Sequence, residues 1–596
     1  MSTGRRAFAI LAAAFAFALP AFALPGSAGP WALATSETLA VQASASFVEY
    51  GRPVTITGTV VGEATCLGSR TVLLAWKAAD ADTWVDIGTG TTAPDGTFSF
   101  ESTQGSTGHY RATLPEASPC AALSSGSLLV RVRARVEITL VAGSLTAGRC
   151  GVSLTATVSP GKAGQQVKVQ RSTPNGWATT DTLTLDDASE ATGRLCASWE
   201  DIGVVHVRAR WPAQDPLNET ATSIALAYRI SEARWMKRID ALAGDTTSVA
   251  LGMDGTYLYE RADTRSRTPA SNEKLALSMA LLDTFGRDYR IVTHAAVAGT
   301  EEGVVAGDLW ILGRGDPEVS RARIAALAER IADGGITRVR GRIMGSTSYF
   351  RHDWWATGWR KGISRDYVAL PTALTFRGNV VAGVHVRDPE QQAAVALTND
   401  LETLSVAVAG TPGAGPAPRG LTDVAAVHSR PLGDILTTMN RWSSNFDAEV
   451  LGKLLGASVS GTPGTIAKGA AAIESWAAAQ GVDWTAYDSS GLSYADRATA
   501  GGIVRLLWAA DEAPWGRALR LSLPKGGQGT LHDRLRDVTL HAKTGSLENI
   551  SALSGWVWLE HEDAWAEFSI LSSGLDKPAA ASIEDRIVRL VSSKAR

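Results

Sequence analysis

The chain has 596 residues, 45% of them apolar, and a formal net charge of −3 at pH 7. This length predicts roughly three or four domains rather than one, and the apolar content is sufficient for each to bury a core. A nearly neutral chain without a long basic run is not typical of nucleic-acid-binding proteins, so we expect no nucleic acid partner.

The first residues have the pattern of a signal peptide. A short basic segment, Met1–Arg6, precedes the unbroken apolar run Ala7–Leu19, which a proline ends. Small residues follow at Ala21-Phe22-Ala23 and Ala32-Leu33-Ala34, which suit cleavage near residue 23 or 34. The predicted signal peptide therefore spans residues 1–34. No later segment approaches the ~20 apolar residues of a membrane helix, so we expect an exported protein without a transmembrane anchor.

Because we expect an exported protein, its cysteines are expected to form disulfides. The chain has Cys66, Cys120, Cys150 and Cys196. No two of them stand at the C-x2–4-C spacing of a zinc site, so disulfides are favoured over a metal. Four cysteines allow three pairings. Pairing Cys66 with Cys120 and Cys150 with Cys196 is the simplest, but the sequence alone does not choose.

Residues 38–228 have the pattern of one β-rich unit present twice. The alternating segment Val54–Val60 is matched by Val152–Val158, and Trp84 by Trp177, at a nearly constant offset. Short alternating strands separated by turn residues are typical of immunoglobulin-like sandwiches. We predict one such sandwich over residues 38–133 and a second over 134–228. Neither contains a catalytic constellation, so we expect a spacer.

The apolar period changes after about residue 228, and residues 229–596 have the pattern of one α/β (α+β) domain. The predicted elements are a helix over Ser231–Leu242, a hairpin of Thr247–Met253 and Thr256–Arg261, a broken helix over Pro431–Leu455, strands at Thr539–Lys543, Ala552–Leu559 and Ala566–Leu571, and a helix over Ile583–Val591.

Residues from about 286 to 425 mix strand and helix signals, and we interpret them as an inserted α/β subdomain. The pattern predicts a strand at Gly307–Leu312, a helix at Arg321–Asp333 and a strand at Val339–Met344. The proline- and glycine-rich segment Thr411–Pro418 predicts a loop that no regular element crosses.

A candidate nucleophile lies in Pro269-Ala270-Ser271-Asn272-Glu273-Lys274-Leu275. Pro269 suits the first turn of a helix, and the apolar run that follows predicts a helix buried on most sides. Ser271 and Lys274 share one face of that helix, so the amine can reach the hydroxyl. Burial favours the neutral amine that a general base requires. A serine and a lysine at this spacing also occur by chance in many helices.

Two further motifs make this one specific: Ser443-Ser444-Asn445 and Lys543-Thr544-Gly545. With Ser271-x-x-Lys274 they are the three signatures of penicillin-recognising serine enzymes. Their flanks, and the segment Asp488-Ser489-Ser490-Gly491-Leu492-Ser493, resemble the class C low-molecular-mass penicillin-binding proteins, the D-alanyl-D-alanine carboxypeptidase/endopeptidase family. The resemblance covers about residues 230–596 and implies a serine transpeptidase/β-lactamase-like catalytic domain.

The resemblance implies that the protein cleaves peptidoglycan stem peptides as a D-Ala-D-Ala carboxypeptidase or endopeptidase, in the cell wall or secreted, and that β-lactams inhibit it covalently. Ser271 is expected to be the nucleophile, Lys274 its base, and Ser443 the group that relays the proton to the leaving amine. The expected substrate-binding residues are Asn445, Lys543, Thr544, Gly545 and Ser546.

Each of these groups has a chemical task. Asn445 is expected to hold Lys274 and the substrate amide, while Lys543 and Thr544 bind the terminal carboxylate. Lys543 is also expected to keep Lys274 neutral by like-charge repulsion. Gly545 lets the substrate backbone approach the strand, and the backbone N–H groups of Ser271 and Ser546 form the oxyanion hole.

Three features depart from the family's pattern. Ser444 stands where asparagine or aspartate is commoner, which we expect to be tolerated because this side chain points away from the site. The span from Ser271 to Ser443 is shorter than expected, so part of the usual insertion is predicted to be missing. The paired sandwiches are not part of the family's layout.

Two other classes of function stay open. A β-lactamase or esterase would need a carboxylate that activates water during deacylation, and the sequence identifies none. A non-catalytic wall-binding protein would be expected to have lost a motif residue, and all are present. The sequence has neither a Gly-x-Ser-x-Gly elbow nor a His-Glu-x-x-His motif, so we expect no metal and no cofactor. His541 shares a strand face with Lys543, but we favour a packed histidine.

Overall fold

The computed structural model describes residues 36–141, 145–199 and 201–594. The predicted signal peptide lies outside the described residues. The chain divides into two compact units, one comprising residues up to 139 with 155–192 and 208–225, the other comprising 140–154, 193–207 and 226–596. Within the described part of the chain, no helix has both the length and the apolar character needed to cross a membrane.

The first unit contains nine strands from the first β-rich repeat. They are β1 (Thr38–Ala43), β2 (Phe47–Glu49), β3 (Val54–Val61), β4 (Thr71–Ala78), β5 (Val85–Thr91), β6 (Thr97–Ser102), β7 (Gly108–Leu114), β8 (Leu123–Ser124) and β9 (Leu128–Arg133). One sheet has the order β1-β3-β6 and the other β2-β9-β7-β4-β5, with β8 beside β7. Alternate residues of the two sheets, including Ile56, Leu74 and Tyr110, share one core. A disulfide joins Cys66 to Cys120.

The described residues of the second repeat also form nine strands. They are β10 (Arg135–Leu140), β11 (Leu145–Thr146), β12 (Cys150–Ser159), β13 (Gln166–Thr173), β14 (Gly176–Thr184), β15 (Glu190–Cys196), β16 (Gly203–Trp211), β17 (Ala221–Thr222) and β18 (Leu226–Ser231). Strand β11 pairs with β18 in parallel, as β2 does with β9, and β13 pairs with β14 antiparallel, as β4 does with β5. The strand pattern of the first repeat thus recurs in the second. A disulfide joins Cys150 to Cys196.

The part of the second unit that follows residue 231 mixes helices and strands. Its helices are α1 (Arg234–Ala243), α2 (Glu273–Phe285), α3 (Arg321–Asp333), α4 (Ile363–Asp366), α5 (Pro389–Thr403), α6 (Leu432–Trp442), α7 (Asn445–Ser460), α8 (Ile466–Ala479), α9 (Ala500–Glu512), α10 (Gly516–Ser522) and α11 (Lys577–Lys594). Its strands are β19 (Thr247–Met253), β20 (Thr256–Arg261), β21 (Val292–Val297), β22 (Thr300–Glu301), β23 (Val304–Val305), β24 (Leu309–Leu312), β25 (Arg338–Val339), β26 (Ile343–Ser346), β27 (Val380–Val381), β28 (Val384–His385), β29 (Ala407–Val408), β30 (Gly413–Gly415), β31 (Thr422–His428), β32 (Leu540–Leu547), β33 (Ile550–Leu559) and β34 (Ala564–Ser573).

A five-stranded antiparallel sheet with the order β20-β19-β34-β33-β32 organises this unit. Helix α2 is buried over Glu273–Leu282, as its apolar sequence predicted, and it packs with α6, α7, α8 and α9 in one core that includes Trp556 of the sheet. Because β32 is an edge strand, its outer backbone groups are not used within the sheet. The 3-10 turn Ala270–Asn272, which precedes α2, contacts β32 and β33, so the candidate site lies beside this edge of the sheet.

Residues between α2 and α6 form three smaller sheets, with the orders β30-β26-β24-β21-β31, β22-β23-β25-β29 and β27-β28. Helices α3 and α5 pack against one another in a separate apolar core that includes Ile311, Leu327 and Leu397. The helix predicted at Arg321–Asp333 is confirmed.

Two predictions in this region are wrong. Instead of one strand at Val339–Met344, the chain ends β25 at Val339 and begins β26 at Ile343, in a different sheet. The segment Thr411–Pro418 also contains a strand, because β30 pairs through its backbone with β26, and such pairing needs no large side chain.

Candidate active site

Ser271 lies in a tight 3-10 turn, Ala270–Asn272, which runs directly into α2. The prediction that Pro269 occupies the first turn of the α-helix is wrong, because α2 begins only at Glu273. Ala270 has a φ of 48°, a left-handed conformation that residues other than glycine rarely adopt. The turn presents Ser271 to a cleft.

Lys274 is fully buried one turn further along α2. Its Nζ atom lies 3.1 Å from Ser271 Oγ and 2.9 Å from Asn445 Oδ1. Burial lowers the pKa of Lys274 from 10.5 to about 8, because desolvation penalises the charged form, while Asp488 and Glu449 act in the opposite direction. A neutral amine suited to accept the Ser271 proton is therefore accessible near physiological pH.

Ser443 and Asn445 lie at the break between α6 and α7. Ser443 adopts φ 56° and ψ 42°, which ends α6, and the side chain of Ser444 caps α7 by accepting from the backbone N–H of Asp447. The Ser444 hydroxyl is thus used to cap the helix, in agreement with the expectation that it points away. Asn445 Nδ2 donates to the carbonyl of Tyr367, which leaves Oδ1 to accept from Lys274.

The Lys543-Thr544-Gly545 motif lies on edge strand β32. Lys543 Nζ donates to Ser443 Oγ at 2.9 Å and to the Thr544 carbonyl at 2.8 Å. Thr544 Oγ1 donates to Thr530 Oγ1 at 2.7 Å. A Cβ on Gly545 would lie 2.8 Å from the carbonyl oxygen of Pro269, so the strand approaches the turn Ala270–Asn272 too closely for a larger residue. Because this turn carries the candidate nucleophile Ser271, it is called the nucleophile turn below.

Lys543 is the second fully buried lysine of the site. Burial holds the pKa of Lys543 well below its usual value, and the ammonium groups of Lys274 and Lys577 add to this. Repulsion from Lys543 was expected to keep Lys274 neutral, but the lowered pKa of Lys274 is caused by burial.

A cleft of about 910 Å³ connects these groups. Six of the eight predicted catalytic and substrate-binding residues line it: Ser271, Ser443, Asn445, Thr544, Gly545 and Ser546. Lys274 and Lys543 lie buried behind it. Among the described residues that line the cleft, Glu548 is the one carboxylate, and it pairs with Arg360 across the opening.

His541 is outside this cleft. It is 5% exposed and its ring packs against Trp565, with Nδ1 3.4 Å from the carbonyl oxygen of Leu523. The interpretation of His541 as a packed histidine is confirmed.

Sequence reasoning missed the contribution of the loop Asp488–Ser493. The carbonyl of Ser490 accepts from Lys274 Nζ at 2.5 Å, and Glu449 of α7 accepts from two backbone N–H groups of the same loop. The turn-forming sequence of the loop was visible, but side-chain types do not reveal that a backbone carbonyl contacts the lysine.

Within the described ranges, one cluster has ligand atoms close enough for a metal ion, namely Glu37 with Cys66 and Cys120. Both sulfur atoms are joined in a disulfide, so neither is available as a thiolate ligand.

Comparison with known proteins gives a consistent result for the second unit. The model of the family described as D-Ala-D-Ala carboxypeptidase 3 (S13) matches residues 235–384 and 376–594, which is more than half of the chain.

Individual relatives each match more than half of the chain. The D-alanyl-D-alanine carboxypeptidase of Actinomadura sp. (strain R39) is 29% identical over 428 residues, covering 56% of this chain and 79% of the relative. The carboxypeptidase Rv3627c of Mycobacterium tuberculosis is 29% identical over 348 residues, covering 53% and 72%. The fold is similar to that of penicillin binding protein 4 from Haemophilus influenzae, with a TM-score of 0.54 and 17% identity over 60% of this chain and 99% of that one.

Proposed function

The chain belongs to the D-Ala-D-Ala carboxypeptidase 3 (S13) family, and from this premise we propose that it is a serine-type D-Ala-D-Ala carboxypeptidase, with endopeptidase cleavage as a second activity. Its substrates are peptidoglycan stem peptides, and β-lactams acylate the same serine. The observation that carries the proposal is the position of Lys274 Nζ, 3.1 Å from Ser271 Oγ and 2.9 Å from Asn445 Oδ1.

Acylation begins when the neutral amine of Lys274 takes the proton from Ser271 as Oγ attacks the carbonyl carbon of the penultimate D-alanine. The backbone N–H groups of Ser271 and Ser546 stabilise the oxyanion. The C–N bond then breaks, and the leaving amine of the terminal D-alanine takes a proton through Ser443. Water attacks the ester in the second step, which restores Ser271 and releases the shortened peptide.

Several polar groups of the site orient the substrate. Lys543 lies 2.9 Å from Ser443 Oγ, so one ammonium can hold the hydroxyl that relays the proton and attract the terminal carboxylate. Thr544 adds a hydroxyl donor for the same carboxylate. Asn445 holds Lys274 and offers its amide to the substrate. Gly545 leaves the edge of β32 open, so that the peptide can lie along it as an added strand.

The test is release of D-alanine from a pentapeptide that ends in D-Ala-D-Ala, with wild type and Ser271→Ala assayed side by side. We expect release by wild type and none by the variant. Equal release by both proteins would refute the role of Ser271, and no release by wild type would refute the activity. A cross-linked peptide dimer assayed in parallel separates endopeptidase from carboxypeptidase cleavage.

A β-lactamase is the weaker alternative. Rapid deacylation requires a carboxylate that activates water next to the ester. The one carboxylate among the described cleft-lining residues, Glu548, is paired with Arg360. A long-lived penicillin ester is therefore the expected end point. A wall-binding protein without activity is disfavoured because the motif residues are brought together around one cleft.

The remaining parts of the chain serve this activity outside the cytoplasm. Residues 1–34 act as a signal peptide, and the mature protein is wall-associated or secreted. The two repeats, residues 38–133 and 134–228, are immunoglobulin-like sandwiches that act as a spacer. The catalytic domain comprises residues 229–596, with an insertion at about 286–425.

A further inference from the structure

Lys274 has a third contact that the three sequence motifs do not supply. Its Nζ atom lies 2.5 Å from the carbonyl oxygen of Ser490, in addition to its contacts with Asn445 Oδ1 and Ser271 Oγ. A carbonyl oxygen and an amide oxygen can only accept hydrogen bonds. Tyr367 fixes the orientation of the Asn445 amide, because its carbonyl needs the Nδ2 donor.

This set of partners determines where the lone pair of the neutral amine points. A neutral amine has two N–H bonds and one lone pair. The two obligate acceptors, Ser490 O and Asn445 Oδ1, take the two N–H bonds. The lone pair is then left for the third neighbour, Ser271 Oγ, whose hydroxyl can donate to it. Without the Ser490 carbonyl, one N–H bond could turn toward Ser271, and the amine would offer that serine a donor instead of a base.

A buried carboxyl group holds the Ser490 peptide in place. Glu449 Oε1, on α7, accepts from the backbone N–H groups of Ser489 at 3.0 Å and Ser490 at 2.9 Å. The side chain of Glu449 is fully buried, and its second oxygen has no partner among the described residues. Asp488 stabilises the same loop, because its two oxygens accept from the N–H groups of Gly491 and Ser493 at 2.7 and 2.8 Å.

The loop has little room to move. Gly491 has a φ of 78°, and a Cβ at this position would lie 1.9 Å from the carbonyl oxygen of Ala270 in the nucleophile turn. On the other side, a Cβ on Gly452 of α7 would lie 1.9 Å from Ser489 Oγ. The loop is therefore held between the nucleophile turn and the helix that carries Glu449, as close packing of interiors requires.

We propose that Glu449 is a positioning residue for acylation, which fixes the Ser490 carbonyl so that the lone pair of Lys274 is directed at Ser271. The inference rests on the proposed function, because it assigns a task within the acylation step. Glu449 touches neither substrate nor Ser271 and acts through the peptide it holds. Its effect belongs to the rate of acylation and not to the binding of the substrate.

Replacing Glu449 by glutamine separates the accepting oxygen from the charge. Burial raises the pKa of Glu449 to about 8, with Asp488 adding to the effect. Glutamine has nearly the same shape and retains one accepting oxygen. Glu449→Ala removes the acceptor, and Glu449→Asp retains a carboxyl group but withdraws it from the two N–H groups.

The experiment is stopped-flow acylation of the full chain by a fluorescent penicillin, resolved into the dissociation constant K and the first-order constant k2. We expect Glu449→Ala and Glu449→Asp to lower k2 by about tenfold or more, since a misdirected base loses the benefit of orientation. K should stay within about threefold, and Glu449→Gln should keep k2 within about threefold of wild type.

Glu474→Ala is the matched control. Glu474 also lies on a helix and accepts from a backbone N–H group, that of Ala486, but the peptide it holds does not contact Lys274. We expect its k2 to equal that of wild type. If Glu449→Ala is not recovered folded, the aspartate and glutamine variants decide the question.

Two results would overturn the inference: k2 of Glu449→Asp and Glu449→Ala equal to wild type, or k2 of Glu449→Gln as low as that of the other two. An increase in K with unchanged k2 would also contradict it. These outcomes differ from failure of the proposed function, in which wild type itself would not be acylated at all.

Discussion

Raising the pH from 7 to 9 should increase k2 for acylation about tenfold, because Lys274 must be neutral to accept the Ser271 proton. Its pKa is lowered to about 8 by burial. At this pKa about 10% of the amine is neutral at pH 7 and about 90% at pH 9. The rate should therefore rise with pH and level off above about pH 9.

An unperturbed lysine would give a different profile. With a pKa of 10.5, only about 0.03% of the amine would be neutral at pH 7, and k2 would rise about a hundredfold by pH 9 without levelling. The size and shape of the rise in k2 with pH therefore distinguish a Lys274 whose pKa is lowered by burial from an unperturbed lysine.

The assay is stopped-flow acylation at saturating penicillin, so that changes in the affinity for penicillin do not enter k2. A thermal melt at each pH shows that the protein remains folded. Lys274→Arg is the control, because a guanidinium stays charged throughout this range and cannot act as the base. A profile that is flat between pH 7 and 9, or a hundredfold rise without a plateau, would refute the reasoning.

Two further predictions concern named residues. Gly491→Ala should lower the free energy of unfolding by about 2–4 kcal/mol, because the new Cβ has no space and φ is positive. Gly461 has the same φ of 78° but open space around it, so Gly461→Ala should lower the free energy of unfolding by only about 1 kcal/mol. Urea titration of both variants measures the difference. Lys543→Gln should raise K for penicillin about tenfold or more, because the carboxylate loses its buried cationic partner; an unchanged K would show that other groups bind it.

Short local motifs made the chemistry of the site predictable. Ser271 and Lys274 are three residues apart, and the break between α6 and α7 was visible at Ser443-Ser444-Asn445. Alternation in β32 placed Lys543 on the same face as His541. These features depend on periodicity and spacing within a few residues, which the sequence states directly.

The contacts that depend on tertiary structure were not predictable in the same way. The Ser490 carbonyl reaches Lys274 because the Asp488–Ser493 loop contacts both Lys274 of α2 and Glu449 of α7, and backbone groups carry no signal in the sequence. The strained turn at Ala270 is similar. Its φ is held by the surrounding structure, since nothing in an alanine favours the left-handed region.

Strand boundaries in the small sheets were hard to predict for another reason. Val339 and Ile343 both suit a strand, but backbone pairing partners far along the chain assign them to two different sheets. Strand β30 forms from glycine and alanine because pairing with Met344, Gly345 and Ser346 satisfies its backbone. Backbone pairing with strands distant in the sequence therefore overrode the strand preference of the individual residues, and the sequence pattern does not reveal those pairing partners.

The most direct test of the account is the intact mass of the protein after incubation with benzylpenicillin, followed over hours for wild type and Ser271→Ala. We predict one stable adduct with the mass of penicillin on wild type, located at Ser271 by peptide mapping, and none on the variant. An adduct on both proteins, or no adduct on wild type while penicillin remains intact, would contradict the central claim. Rapid loss of penicillin without a lasting adduct would instead indicate a β-lactamase.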